Sequence, residues 1–305
     1  MKKIIIVFLI VISYVCAATN GDIILYKIDN KDHKITSKLL SDGLSNNGYV
    51  VAKIQDMNGP YQKQFQKTVF DSYNLMSMYH QDTSVALVSK YPHSGIFTPF
   101  SIATYQRKGE DSFYIAFLSA EAEQKILKIK DDLFIQLEKR TKETIVKLFP
   151  SAKQTELLYA NVATDKPLYT KYSFDVDDKD AIEAREDFVM MMESGMKPSG
   201  FVVANYIDFN KVLKKEKKED YIFYDAYSLC KLKIIYELSK EKPEAGAFAP
   251  CTMVIYHKKG SNKMEIVTLS IDNLTSSLAI KDKKMIEMLS KAQGTIKDII
   301  EDSAE

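Results

Sequence analysis

The 305-residue chain contains no tryptophan, only three cysteines and four histidines, and neither C-x-x-C nor C-x-x-C-H occurs in it. These absences exclude the dithiol motif of thiol oxidoreductases and covalent haem attachment. His33, His80, His93 and His257 stand alone, without the i, i+4 spacing of a helical metal pair. No sign of charge dominates, since 42 Lys+Arg face 41 Asp+Glu for a net charge of +1. Without a basic surplus to neutralise phosphates, a general nucleic-acid binder is excluded. A nucleophile set beside its base and a phosphate loop are missing too. The sequence therefore contains no catalytic residues, no metal ligands and no cofactor site that can be read from motifs. What is present is apolar and aromatic surface: 46% hydrophobic residues, with 18 Tyr and 15 Phe. That suffices to offset the entropy of ordering a globular protein of about two domains.

Met1, Lys2 and Lys3 precede an apolar run from Ile4 to Val15 and then Ala17 and Ala18, the layout of a secretory signal peptide. A run this short falls below the roughly 20 residues that span a bilayer. Cleavage after Ala17 is preferred, with lipid attachment at Cys16 and an uncleaved anchor as the competing readings. Processing removes two lysines and no acid, which takes the net charge from +1 to −1. No later apolar run approaches membrane length. The expectation is a periplasmic or otherwise exported protein, soluble after removal of residues 1–17, with no transmembrane segment.

The chain also repeats itself. Shifted by 151 residues, Pro92 to Ser119 aligns with Pro243 to Ser270 without a gap, and ten of the 28 positions are identical, including Gly95/Gly246, Phe97/Phe248, Pro99/Pro250 and Tyr105/Tyr256. Chance supplies about two, at roughly 6% per position. At an offset of 152, Gly48 to Asn58 aligns with Gly200 to Asn210, and at 154 Asp71-Ser72-Tyr73-Asn74-Leu75 meets Asp225-Ala226-Tyr227-Ser228-Leu229. Two copies of one domain are expected, at residues 22–149 and 155–301, forming an internal pseudo-dimer.

Periodicity predicts the same elements in each copy. In the second, strands are expected over 156–162, 168–174, 201–207 and 221–227, helices over 180–193, 231–240 and 282–300, and a hairpin from 252–256 and 264–269. In the first, strands are expected over 23–28, 49–54, 101–106 and 113–118, followed by one long helix over 121–148. The fold class is α+β, or mixed α/β: a sheet covered by helices, made twice, in a pseudo-twofold arrangement.

The Phe-Val-Val-Ala strand after Gly200, the Asp225-x-Tyr227 strand end, and Pro243-Glu-Ala-Gly-Ala-Phe-Ala-Pro-Cys251 before a hairpin resemble the "domain of unknown function 302" family. The resemblance covers nearly the whole mature chain and is stronger in the second copy, since Phe100 stands in the first where the family pattern has a cysteine. It implies a compact α/β domain that pairs with another copy, and no known activity.

Several side chains are candidates for a site. Cys230 and Cys251 are matched by Met76 and Phe100 in the first copy, so both cysteines are present in one copy and absent from the other. A disulfide, a pair of independent buried thiols, and a redox-active or sulfur-carrying Cys251 remain open. Asp71 and Tyr73, like Asp225 and Tyr227, are expected on one strand face, where each Asp serves as a ligand contact or as the cap of the next helix. Phe248 of the hallmark segment is a further ligand candidate. Met76, Met78, Met190, Met191, Met192 and Met196 invite a soft-metal reading, but at helical spacing methionine fills cores. Asp175, Asp177, Asp178 and Asp180 lack the spacing of a calcium loop and read as helix-starting acids. The leading expectation is a non-catalytic protein that binds an unknown small molecule or protein; the alternative is a thiol-dependent enzyme or sulfur carrier acting through Cys251.

Overall fold

Eleven strands form among residues 21–157, 159 and 166–304, the part of the chain that the computed structural model describes. The expected signal peptide and most of the strand expected over 156–162 lie outside those residues. In the first half, β1 (Ile23–Asp29), β2 (Tyr49–Asp56), β3 (Phe70–His80), β4 (Phe100–Arg107), β5 (Ser112–Leu118) and the short β6 (Lys153–Thr155) pair in the order β2-β3-β4-β5-β1-β6. In the second, β7 (Tyr169–Asp175), β8 (Val202–Asp208), β9 (Tyr221–Cys230), β10 (Cys251–Lys258) and β11 (Lys263–Leu269) pair in the order β8-β9-β10-β11-β7. Apart from β6 the two orders are the same, and every pairing is antiparallel.

Helices fall between the strands in the same order in both halves. In the first they are α1 (Ser37–Ser45), α2 (Asn58–Phe65), α3 (Gln81–Lys90), α4 (Ala120–Leu127) and α5 (Asp132–Leu148). In the second they are α6 (Ala181–Met196), α7 (Phe209–Lys215), α8 (Leu232–Glu241), α9 (Ile271–Ser277) and α10 (Lys283–Asp302). A 3-10 helix lies in the third strand–strand connection of each half, at Pro92–Phe97 and at Pro243–Phe248. The single helix expected over 121–148 is two. Lys128 adopts φ 55°, which ends α4, and the Asp131 side chain then caps α5 by accepting from the Leu133 amide at 3.0 Å. Ser119 and Ser270 cap α4 and α9 in the same way, each accepting an amide hydrogen bond at 3.2 Å.

Because strand side chains alternate between faces, each sheet has an outer and an inner apolar surface. On the outer face of the first sheet, Met76, Met78, Phe100 and Ile102 pack against Leu40 and Leu44 of α1 and Leu137 and Ile145 of α5. On that of the second, Tyr227, Met253 and Ile255 pack against Phe188 and Met192 of α6 and Ile299 of α10. Met192 and Met196, like Met76 and Met78, are therefore core residues. The inner faces, with Tyr73, Leu75, Ala103 and Tyr105 on one side and Tyr224, Ala226, Val254 and Tyr256 on the other, belong to one core shared by both halves. Leu75 and Val254, buried in this core, each contribute about 1.5–3 kcal/mol.

Contacts across the shared core are reciprocal. Tyr73 Oη donates to the Pro243 carbonyl at 3.0 Å, and Tyr224 Oη to the Pro92 carbonyl at 2.5 Å. Each tyrosine tip needs a glycine beside it: a Cβ on Gly246 would lie 2.8 Å from Tyr73 Oη, and one on Gly95 only 1.8 Å from Tyr224 Oη. The recurrence of glycine three residues after each proline thus has a physical cause, since each 3-10 helix must admit the partner half's tyrosine. Burial pushes both phenols well above their ordinary range, so they remain donors.

Candidate functional site

In the second half, the ends of β9 and β10 do not close against their helices. An apolar cavity of about 120 Å³ lies there, bounded by the strand ends, the second 3-10 helix and helices α8, α9 and α10. Leu229, Met253 and Phe248 form part of its wall, with Ile235, Leu238, Leu289 and Ala292 from the helices, and polar atoms enter only from a few side chains such as Lys231, Thr252 and Gln293. Gln293 is already engaged, since its Oε1 accepts from the Ile271 amide at 2.6 Å.

The first half has the same frame filled. Phe100 pairs with Met78 at the start of β4, where Cys251 pairs with Leu229 at the start of β10. Phe117 faces Ile102 where Thr268 faces Met253, and Tyr79 follows Met78 where Cys230 follows Leu229. Two thiols and a threonine on the cavity wall thus stand where the first half has three aromatic rings.

Cys230 and Cys251 both line this cavity, but as free thiols. The disulfide expectation is wrong because of the strand register. Cys251 faces Leu229 and not Cys230, so Cys251 shares the outer face of Met253 while Cys230 packs with the inner core. A stagger of one residue puts the two Cβ vectors on opposite faces of the sheet, which precludes a bridge. The thiols meet the same cavity only because it runs round the end of the strands. Burial pushes Cys230 up to about 12, with Cys251 adding to the shift, and Cys251 up to about 11. Both are neutral at physiological pH, the reverse of what a nucleophilic or sulfur-carrying cysteine needs.

The register also overturns the expected equivalence of Asp71 with Asp225. Asn74 faces Thr104 and Asp225 faces Ile255, so the true offset along β3 and β9 is 151 throughout. Asp225 therefore matches Asn74, Tyr224 matches Tyr73, Tyr227 matches Met76, and Cys230 matches Tyr79. Asp71 is exposed, beside a bulge at Phe70–Ser72. Neither Asp caps a helix. Tyr73 is committed to the contact between halves, and Tyr227 lies under α6 against Tyr206, with ring centroids 5.0 Å apart.

Asp225 is 1% exposed and held by Arg185 of α6, whose Nε donates to its carboxylate. Tyr206 Oη donates to the other carboxylate oxygen at 2.9 Å, and Arg185 Nη2 contacts that hydroxyl at 2.9 Å. Burial pushes the Asp225 carboxyl above its ordinary range, against the opposing pull of Arg185. Arg185 was not a sequence candidate; its one signal is a lone arginine one turn into an amphipathic helix. With both carboxylate oxygens of Asp225 engaged, this cluster ties α6 to the sheet.

Among Asp175, Asp177, Asp178 and Asp180, only Asp180 occupies a helix N-cap, and it makes no side-chain cap bond. Asp178 accepts instead from the Gly260 amide at 2.8 Å, and Asp175 pairs with Lys263 at 2.7 Å. Among the described residues no three His, Cys, Asp or Glu side chains are placed to hold a metal ion, and no helix is long and apolar enough to cross a membrane.

The cavity lies in the part of the chain that has a known relative. Residues 180–303 match the family model Domain of unknown function DUF302. The matched segment runs from α6 to α10 and carries every cavity-lining residue except Tyr172 of β7. Among solved structures the chain is similar to an uncharacterized conserved protein DUF302 from Bacillus stearothermophilus, at 14% identity, over 46% of this chain and 100% of that one, with a TM-score of 0.38. No curated protein is matched.

Proposed function

We propose that the protein is an exported, non-catalytic binding protein made of two fused copies of one domain, residues 22–149 and 155–301, that holds a small apolar molecule in the second copy. The cavity of about 120 Å³ with its largely apolar wall is the observation that carries this reading. A dry apolar cavity of roughly 150 Å³ admits benzene, so the ligand class is a molecule of about that size or the end of a longer apolar chain. Thiols held neutral by burial favour binding over chemistry. The common strand order and reciprocal tyrosine contacts support the two-copy reading. Export rests on the pattern from Met1 to Ala18 alone.

The test fills the cavity with the residue that the first half uses. Benzene titrated into the protein should shift the methyl resonances of Ile235, Leu238 and Met253 saturably in heteronuclear NMR spectra. In Cys251→Phe the shifts should vanish while the rest of the spectrum stays folded. A benzene titration that leaves these methyl groups unmoved in the parent protein would sink the proposal.

A further inference from the structure

The two halves are open in different places. Beneath α6 of the second half, Phe223 and the Arg185–Asp225–Tyr206 cluster occupy the outer face of β8 and β9, with the Arg185 guanidinium 5.8 Å over the Phe223 ring. At the matching strand positions of the first half stand Ser72, Asn74 and Ile54, and one turn into α1, where α6 has Arg185, stands Ser41. Ser72, Ile54 and Ser41 are smaller than Phe223, Tyr206 and Arg185, Asn74 has the size of Asp225, and none of the replacements carries a charge. The result is an open groove of about 380 Å³ between the start of α1 and the outer face of β3.

Its base is prearranged. Asn30 and Gln106, each 2% exposed, are joined by a 2.8 Å hydrogen bond, and Gln106 continues to the Glu110 carbonyl at 2.7 Å. Ser37 and Thr104 share a buried hydrogen bond of 2.7 Å next to them. Above this fixed layer, the side chains of Asp71, Ser72 and Asn74 line the groove and have no hydrogen-bond partner among the described residues. An amide, a hydroxyl and a carboxylate side by side present both donors and acceptors at close spacing, with Ile35 and Ile54 giving an apolar patch. The lysine on the wall, Lys38, is held by Asp42 at 2.7 Å, and His33 adds an imidazole at the groove's edge.

We propose that this groove is a second ligand site, separate from the apolar cavity, and that it binds a neutral polyhydroxylated molecule, a sugar. The carboxylate of Asp71 accepts from adjacent hydroxyls of the ring, Asn74 both donates and accepts, and the two isoleucines meet the ring's C–H surface. Donors and acceptors at this spacing match the adjacent hydroxyls of a sugar, each of which both donates and accepts.

The test is isothermal titration of the full chain with glucose, N-acetylglucosamine and maltose, accompanied by side-chain amide NMR. At least one sugar should bind saturably and move the Asn74 amide signal. Asn74→Leu should weaken it at least tenfold, and Ser72→Phe, which imports the residue of the second half, should abolish it. Asp71→Asn, at an exposed position that tolerates substitution, should weaken it several-fold without a change in melting temperature. Benzene binding in the apolar cavity should be unaffected in all three variants, so the two sites fail separately. The proposal is overturned if none of the three sugars binds at 10 mM or below (on the order of the weakest specific affinities), if binding survives Asn74→Leu and Ser72→Phe, or if putrescine binds through Asp71 in preference to every sugar.

Discussion

Gly95→Ala tests the idea that the halves are locked by tyrosine tips set into glycine gaps. The added Cβ would lie 1.8 Å from Tyr224 Oη, 2.8 Å from its Cζ and 3.0 Å from its Cε1, about 1.5 Å short of ordinary contact. Tyr224 has nowhere to retreat. Its ring is stacked on Tyr256 at 5.3 Å, meets Tyr221 edge-on at 5.1 Å, and its hydroxyl donates to the Pro92 carbonyl. Overpacking of this kind costs about 1–3 kcal/mol, and losing the bond to a buried carbonyl about 1–3 kcal/mol more. The expected loss is therefore about 4 kcal/mol, a large part of a typical folding free energy of about 5–15 kcal/mol. Urea denaturation of parent and variant measures it from the midpoints. Gly294→Ala in α10, where an added Cβ meets nothing within 4 Å, should instead stabilise by about 1 kcal/mol through helix propensity. Removing the clashing oxygen closes a double-mutant cycle. Gly95→Ala in a Tyr224→Phe background should cost at least about 1 kcal/mol less than in the parent. A Gly95→Ala loss below about 0.5 kcal/mol, or strict additivity in the cycle, would refute the interlock.

Two further predictions rest on buried titratable groups. At pH 8 iodoacetamide should leave Cys230 and Cys251 unlabelled in the native protein and modify both in urea, as read by peptide mass mapping; since burial raises these thiols to about 12 and 11, their contribution to stability is complete below the ordinary thiol range and is lost as pH rises through those values. Labelling of native Cys251 at pH 8 would contradict the thiol burial. Glu123 of α4 is raised to about 8, by burial first and by Glu138 second, so its contribution is complete below the ordinary carboxylate range and falls by about 1.4 kcal/mol per pH unit as pH climbs toward 8. Glu123→Gln should match the parent near pH 4 and exceed it in stability at pH 8.5, and equal slopes for both proteins in urea melts would discard the assignment.

Local sequence determined the parts that local physics governs. The hairpin expected from 252–256 and 264–269 forms as β10 and β11, because alternation and a Gly260 turn at φ 74° are properties of a few neighbouring residues. The same holds for the recurrence of the two Pro-x-x-Gly-x-Phe segments, although its cause, the opposing tyrosine, belongs to the tertiary structure. Tertiary structure decided what depends on register. Asp-x-Tyr recurs at an offset of 154, and nothing within five residues distinguishes that alignment from 151; only pairing of β3 with β4 and of β9 with β10 settles which side chains are equivalent. Because a strand's faces alternate every residue, the same pairing placed Cys230 and Cys251 on opposite faces and removed the bond between them. The apolar cavity and the polar groove arise at the same level. Each is a difference in volume summed over positions far apart in the chain, Tyr79, Phe100 and Phe117 against Cys230, Cys251 and Thr268 in one case, and Phe223, Arg185 and Tyr206 against Ser72, Ser41 and Ile54 in the other, so it exists only once folding has brought those positions together.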